Sequence, residues 1–234
     1  MSVLDIINVS AGYGDVDVIK NIDINVHECE IVTIAGTNGS GKSTILKCVI
    51  GLLKARQGAI NVKDVDISNA SVENRVRSGI SYVPQVQNVF PSLTVQENLQ
   101  AVRITGDYRA KIDVSYAMFP DLAGRSKVLA GRLSGGERQQ LAFARALMSD
   151  PHLVLLDEPS AALAPALVEL VFEEVKKLPK AGVAVLMVEQ RARQALALSD
   201  RGYILDNGRI VMSDRADVLL ASAEMAELYL GDIH

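Results

Sequence analysis

The sequence is short of several things, and each shortage narrows what it can be. Cysteine occurs only at Cys29 and Cys48. Two residues so placed form neither a disulfide framework nor a metal-ligand spacing, and a reduced cytosolic compartment is the simpler expectation. No apolar run approaches the roughly 20 residues needed to cross a bilayer. The opening residues, MSVLDIINVS, place no basic segment before an apolar one, so no secretory signal is expected. If the chain works at a membrane, another polypeptide must hold it there. A basic excess is also missing, because 24 Lys and Arg stand against 28 Asp and Glu, a formal net charge of −4. A mildly acidic chain is poorly suited to gripping a phosphate backbone along its length. Internal repeats, low-complexity tracts and flexible linkers are absent.

What is present suits one large domain, or one domain with an inserted lobe: 234 residues, of which 49% are hydrophobic. Leu4–Val9 and Val18–Val26 read as strands, and Ile31–Ala35 as a short apolar one. Glycines at 36, 39 and 41 follow, then a helix over Ser43–Leu53. Gly58–Val62 and Ile80–Val83 read as strands. From about residue 86 to 150 the pattern turns helical, over Thr94–Ala101, Ile112–Phe119 and Gly136–Met148. Strand and helix then alternate again: Leu153–Leu156, Ala166–Leu178 ended by Pro179 and Gly182, and Val183–Val188. Asn207-Gly208 between two apolar runs predicts a hairpin over Tyr203–Met212. The expected class is α/β with a helical insertion.

Three stretches carry chemistry. Gly36-Thr37-Asn38-Gly39-Ser40-Gly41-Lys42-Ser43-Thr44 fits the phosphate-loop pattern G-x-x-x-x-G-K-[ST], with a strand before it and a helix after it. Glycines let the backbone wrap closely around phosphates. Successive N–H groups and the helix N-terminus favour an anion. Lys42 is expected to reach the β- and γ-phosphates, and the Ser43 hydroxyl to coordinate Mg²⁺. Leu153-Val154-Leu155-Leu156-Asp157-Glu158 delivers two carboxylates to the C-terminal end of a buried strand, where α/β sheets bind ligands. Asp157 is expected to hold Mg²⁺ through water, and Glu158 to act as general base on the attacking water. Leu133-Ser134-Gly135-Gly136-Glu137 opens a helix with close backbone access, a second anion site. Ser134 and Glu137 also have the spacing of an ordinary capping box.

LSGGERQQLAFARAL downstream of GTNGSGKST, and ahead of LVLLDE, resembles the ATP-binding subunit of an ABC transporter, and the resemblance spans essentially the whole chain. It implies a P-loop NTPase (RecA-like) core over 1–85 and 151–234, an N-terminal antiparallel β subdomain, and a helical subdomain over 86–150. It implies a head-to-tail dimer in which Ser134, Gly135 and Gly136 of one subunit meet the ATP held by the other. Tyr13 resembles the aromatic that stacks on adenine, against the alternative of a core tyrosine. Gln85 resembles the glutamine that joins core to helical insertion, touches Mg²⁺ and senses a membrane partner docked in the groove between them.

Departures from the family pattern are informative. Most members carry a histidine where Gln190 stands, touching the γ-phosphate; of this chain's three histidines, His27, His152 and His234, none is placed to replace it. Gln190 can donate a neutral hydrogen bond but not a proton; alternatively it caps the helix near Arg191. Ala164 stands where the family has an aspartate that crosses the dimer interface. Glu189-Gln190, the Leu198–Tyr203 segment, Glu158-Pro159-Ser160 with Leu163-Ala164-Pro165, and Tyr229-Leu230-Gly231 resemble the smaller ATPase subunits of branched-chain amino-acid importers, whose pattern has glycine where this chain has Ala162. That subgroup implies a second, non-identical ATPase, two membrane permease chains and an external binding protein, at the inner face of a prokaryotic cell membrane. Relatives of the subgroup carry urea or other amides. Two other classes stand beside it. A soluble ABC ATPase on nucleic acid or ribosomes would be expected to have two cassettes, coiled-coil or basic insertions. A regulatory module without hydrolysis fits the missing histidine and aspartate but not intact Lys42, Asp157 and Glu158.

Overall fold

A computed structural model describes residues 1–104 and 106–222. In chain order the elements are β1 (Ser2–Tyr13), β2 (Val16–His27), β3 (Ile31–Gly36), α1 (Lys42–Ile50), β4 (Gln57–Val62), β5 (Val65–Asp66), α2 (Val72–Arg77) and β6 (Ile80–Val83). Then come α3 (Val95–Gln100), α4 (Tyr108–Met118), α5 (Pro120–Ala123), α6 (Gly135–Leu147), β7 (Leu153–Asp157) and α7 (Pro165–Val175). The last are β8 (Ala184–Glu189), α8 (Ala192–Leu196), β9 (Arg201–Asp206), β10 (Arg209–Arg215) and α9 (Ala216–Ala221). Tyr229-Leu230-Gly231 lies outside the described residues.

Two sheets form. One is antiparallel, in the order β2-β1-β4-β5; the other runs β10-β9-β3-β8-β7-β6. Strands β9, β3, β8, β7 and β6 are parallel to one another, and β10 returns along the edge as a hairpin. Asn207 and Gly208 both have positive φ (44° and 75°), the conformation that a two-residue hairpin turn requires. The parallel strands are buried on both faces, which explains their unbroken apolar runs. Alternate residues serve different cores. Leu153, Leu155 and Leu186 pack with α1 and the antiparallel sheet, whereas Val154, Leu156, Val185 and Met187 pack with α3, α4, α6 and α7. Helix α1 therefore lies between the sheets. Among the described residues, the stretch between β6 and β7 contributes four α-helices and no strand of either sheet.

Several boundaries differ from expectation for local reasons. Helix α1 stops at Ile50 rather than Leu53, because Gly51 turns left-handed (φ 86°) and donates its N–H to Cys48 O. Helix α4 starts at Tyr108, four residues early, capped by Asp107, whose carboxylate accepts from the Arg109 N–H. Helix α2 has no apolar periodicity to reveal it; it starts at a Ser71 cap. It also delivers Arg75, only 2% exposed, into the interior. The guanidinium donates to Cys48 O (2.6 Å) and Val49 O (2.9 Å) at the end of α1, and to Ser68 O (2.7 Å) and Ala70 O (3.0 Å). Arg75 thus satisfies the orphan carbonyls of α1, a favourable place for a cation. Arg75→Met fills similar space but strands these acceptors. A loss of about 2–4 kcal/mol of stability is expected, read as a lower urea midpoint at unchanged slope.

Candidate functional site

Strand β3 ends at Gly36, and residues 37–41 loop into the N-terminus of α1. A side chain at Gly36 would have its Cβ 2.2 Å from Leu205 O, so β3 and β9 can approach this closely only with glycine there. Gly41 is left-handed (φ 106°) and faces Ile19 of β2, which seats the β1–β2 hairpin beside the loop. Thr37, Asn38 and Gly39 are exposed, while Ser40, Gly41 and Thr44 are buried. Lys42 is 4% exposed. Its Nζ folds back to donate to Gly36 O (2.8 Å) and Thr37 O (2.9 Å), and lies 3.8 Å from Glu158 Oε1. Burial pulls this ammonium below its ordinary value, and the nearby Glu158, Glu189 and Asp157 carboxylates act against that pull.

Asp157 closes strand β7. Its Oδ1 accepts from Ser43 Oγ (2.7 Å) and its Oδ2 from the Tyr82 hydroxyl (2.8 Å). Burial first, and then the Asp157 charge, push the Tyr82 hydroxyl up, so it stays a donor. Glu158 follows in left-handed conformation (φ 46°) and accepts from Gln85 Nε2 (2.8 Å). Gln85, Glu158 and Gln190 line one cavity of about 530 Å³ with Asn38 and Gly39. The structure thus brings together Lys42, Ser43, Gln85, Asp157, Glu158 and Gln190. The cap of α8 is Arg191, with no side-chain cap bond, so Gln190 does not cap that helix. Tyr13 ends β1 at the turn into β2 and is 52% exposed, which removes the core-tyrosine alternative.

Ser134 caps α6, and the capping box is complete: Ser134 Oγ accepts from Glu137 N (3.3 Å), and Glu137 Oε2 accepts from Ser134 N (2.8 Å). The Ser134 N–H is the main reason that the Glu137 carboxyl lies below its ordinary value. Ser134 and Gly136 line a hollow with Leu167 and Leu170, apart from the cavity at the phosphate loop. One chain does not bring its two anion-binding elements together.

One residue escaped the sequence reading, and a second was read there as a strand-end polar residue without a role in the site. Tyr82 shares the strand that leads to Gln85, and a polar tip within that apolar run was the available signal. Glu189 closes β8 as Asp157 closes β7, and is 1% exposed. Between Glu158 and α7, Ala162 is left-handed (φ 58°), where the resembled subgroup has glycine. Ala164 is the cap of α7 and gives it no side-chain bond.

The strand–loop–helix unit carries a paired Ser43 and Asp157, and residues 19–161 match the sequence model of the ABC transporter family. The chain belongs to that family, as an ATP-hydrolysing cassette. Its relatives sharpen the picture. The chain is 42% identical to the high-affinity branched-chain amino acid transport ATP-binding protein BraG of Pseudomonas aeruginosa, covering 95% of this chain and 97% of that one. It is 37% identical to the probable branched-chain amino acid transport ATP-binding protein LivF of Archaeoglobus fulgidus, over 96% and 97%. It is also 34% identical to the lipopolysaccharide export system ATP-binding protein LptB of Haemophilus influenzae, over 99% and 98%. Among solved structures, an ABC transporter cassette in its ADP conformation superposes with a TM-score of 0.85 at 26% identity, over 99% of this chain and 100% of that one. A dimeric cassette bound to ADP and phosphate matches at 0.79 and 26%, over 91% and 98%.

The alanines of the 159–164 loop give a stability test. Ala162→Gly relieves the left-handed strain, and Ala164→Asp supplies the missing cap. Each is expected to raise stability by about 1 kcal/mol, read from urea unfolding.

Proposed function

We propose that this chain is the ATP-binding and ATP-hydrolysing subunit of an ABC importer that energises uptake of branched-chain or related amino acids, or amides, through a separate membrane permease. The observation that carries the hydrolytic part is the convergence of three charged groups at the end of β7: Lys42 Nζ lies 3.8 Å from Glu158 Oε1, and Asp157, the residue before Glu158, accepts from Ser43 beside the phosphate loop. The transported class rests on likeness to BraG and LivF, together with Glu189-Gln190 and Ala164 in place of the usual family residues.

ATP is the substrate. Its phosphates replace Gly36 O and Thr37 O as partners of Lys42, and the adenine stacks on the exposed Tyr13 ring. Backbone N–H groups from Gly36 to Thr44 cradle the phosphates. The Ser43 hydroxyl and Asp157 carboxylate are hard oxygen donors that already meet at 2.7 Å, a pair that would hold Mg²⁺. Gln85 offers its amide oxygen to the same ion. When bound, that ion neutralises charge on the β- and γ-phosphates. Glu158 orients and deprotonates the attacking water. Gln190 donates a neutral hydrogen bond to the γ-phosphate. Ser134, Gly135 and Gly136 of a second, non-identical cassette close the site from the far side, head to tail.

Among the described residues no helix is long and apolar enough to cross a membrane. The cassette sits on the inner face of a prokaryotic cell membrane, held by two permease chains, with an external binding protein supplying the substrate. Support for the docking place comes from an apolar groove of about 550 Å³, walled by Leu52, Val72, Val76, Val86 and Phe90 and flanking Gln85. Nucleic acid is not among the partners, in keeping with the net charge of −4.

The likeness to LptB favours a second reading, an exporter cassette. A pull-down of the tagged chain from gently solubilised membranes separates the two. Recovery of polytopic permeases, a second distinct ATPase and a binding protein for amino acids or amides is the expected result; recovery of lipid-export partners would replace the importer reading. Glu158→Gln is expected to abolish turnover while ATP binding persists, and equal ATPase rates in variant and parent would remove Glu158 as base. Tyr82→Phe, which frees one oxygen of Asp157, is expected to raise several-fold the Mg²⁺ concentration for half-maximal turnover, in a titration at saturating ATP.

A further inference from the structure

Glu189 has no part in the chemistry above, yet it is a carboxylate 1% exposed to solvent at the floor of the site. Burying an ionised carboxylate is costly unless donors surround it. Main-chain amides are among its donors. Oε1 accepts from the Ser160 N–H at 2.9 Å, and Oε2 from the N–H of Gln190 at 3.2 Å. The Arg191 N–H also favours the charged form. Burial, the largest influence, pushes the carboxyl up; the Ser160 side chain and the Ser160 and Arg191 N–H groups act against it. No basic side chain hydrogen-bonds to Glu189 among the described residues.

The donors come from two different loops. Ser160 lies two residues beyond Glu158, in the loop that follows β7. Gln190 and Arg191 begin the loop that follows β8. Strands β7 and β8 are neighbours in register, with Asp157 opposite Val188, and the Glu158 N–H donates to Val188 O at 3.0 Å. Beyond that point the ladder ends, and Glu189 continues the connection between the two loops. A carboxylate, with two acceptor oxygens and no donor of its own, suits donors that arrive from both loops. The Gln190 amide N–H is held, whereas no hydrogen bond of its side chain is found among the described residues, so that side chain is available to a ligand.

We propose that Glu189 is a positioning residue: its carboxylate fastens the loop after β7 to the loop after β8, so that Glu158 and Gln190 face the γ-phosphate from two sides at a fixed separation. The kinetic consequence rests on the ATPase reading above; the fastening itself does not. Glu189→Gln keeps the shape of the side chain but turns an NH₂ towards an N–H, so one of the two loops loses its acceptor.

The test uses the purified full chain and two readouts. In amide hydrogen exchange, the Ser160 N–H of the parent is expected to be protected. Glu189→Gln is expected to speed exchange at Ser160 or at Gln190 and Arg191, with the amides of β3, β7 and β8 unchanged. In steady-state kinetics, kcat is expected to fall about tenfold or more while KM for ATP stays within about twofold, the signature of misplaced groups rather than lost binding. Glu173→Gln, a change at an exposed ion pair with Lys176, should leave both readouts at parental values. Should Glu189→Gln fail to fold, Glu189→Asp takes its place, since the shorter arm reaches only one loop. Fast exchange of Ser160 in the parent, or parental exchange and kcat in the variant, overturns the proposal. So does a joint fall of kcat, ATP affinity and Tm, which marks a merely structural residue. If the parent turns over no more ATP than its Glu158→Gln variant, the ATPase reading fails, and the exchange data alone decide the fastening.

Discussion

A buried ammonium organises this molecule. Lys42 has little water around it, so its charge must be balanced from within the protein. Two carbonyls at the end of β3, the carboxylates of Asp157 and Glu158 at the end of β7, and that of Glu189 at the end of β8 do this. Each carboxylate is then occupied in its own way. Asp157 is held by Ser43 and Tyr82, Glu158 by Gln85, and Glu189 by backbone amides. The arrangement is neutralised but not saturated, because Lys42 touches Glu158 only at 3.8 Å. A polyphosphate entering the loop offers the ammonium stronger partners than two carbonyls.

The scaffold transmits from one end of a helix to the other. Helix α1 presents its N-terminus to the phosphate loop, while its last carbonyls are gripped by Arg75. Arg75 belongs to α2, whose Val72 and Val76 wall the apolar groove. The groove and the nucleotide loop are therefore opposite ends of one rigid piece, wedged between two sheets. Gln85 provides a second connection, leaving the same groove region to reach Glu158.

Features with a short sequence footprint were legible beforehand. The phosphate loop, the apolar strands β3, β7 and β8, the hairpin at Asn207-Gly208 and the Ser134–Glu137 box all declare themselves within a few residues, by turn chemistry, periodicity or capping. What stayed hidden depends on partners far along the chain. Tyr82 finds Asp157 across 75 residues and Glu189 finds Ser160 across 29, and no local pattern encodes either pairing. Helix α2 was hidden because its one essential residue is a buried arginine, which a hydrophobic pattern counts as surface. Ala162 is an intermediate case: only the glycine of the resembled subgroup pointed to a left-handed position there, and the backbone adopts it in spite of the methyl group.

The order of the strands has a consequence for how the protein is made. Strand β3, which ends in the phosphate loop, is flanked by β8 and β9 alone, and both are synthesised long after it. Ser43 likewise waits 114 residues for Asp157. While the ribosome is still translating the middle of the message, the glycine loop has left the exit tunnel but has no sheet to lie in, and it cannot hold a nucleotide. The sheet around the loop is complete only once β8 and β9 lie on either side of β3.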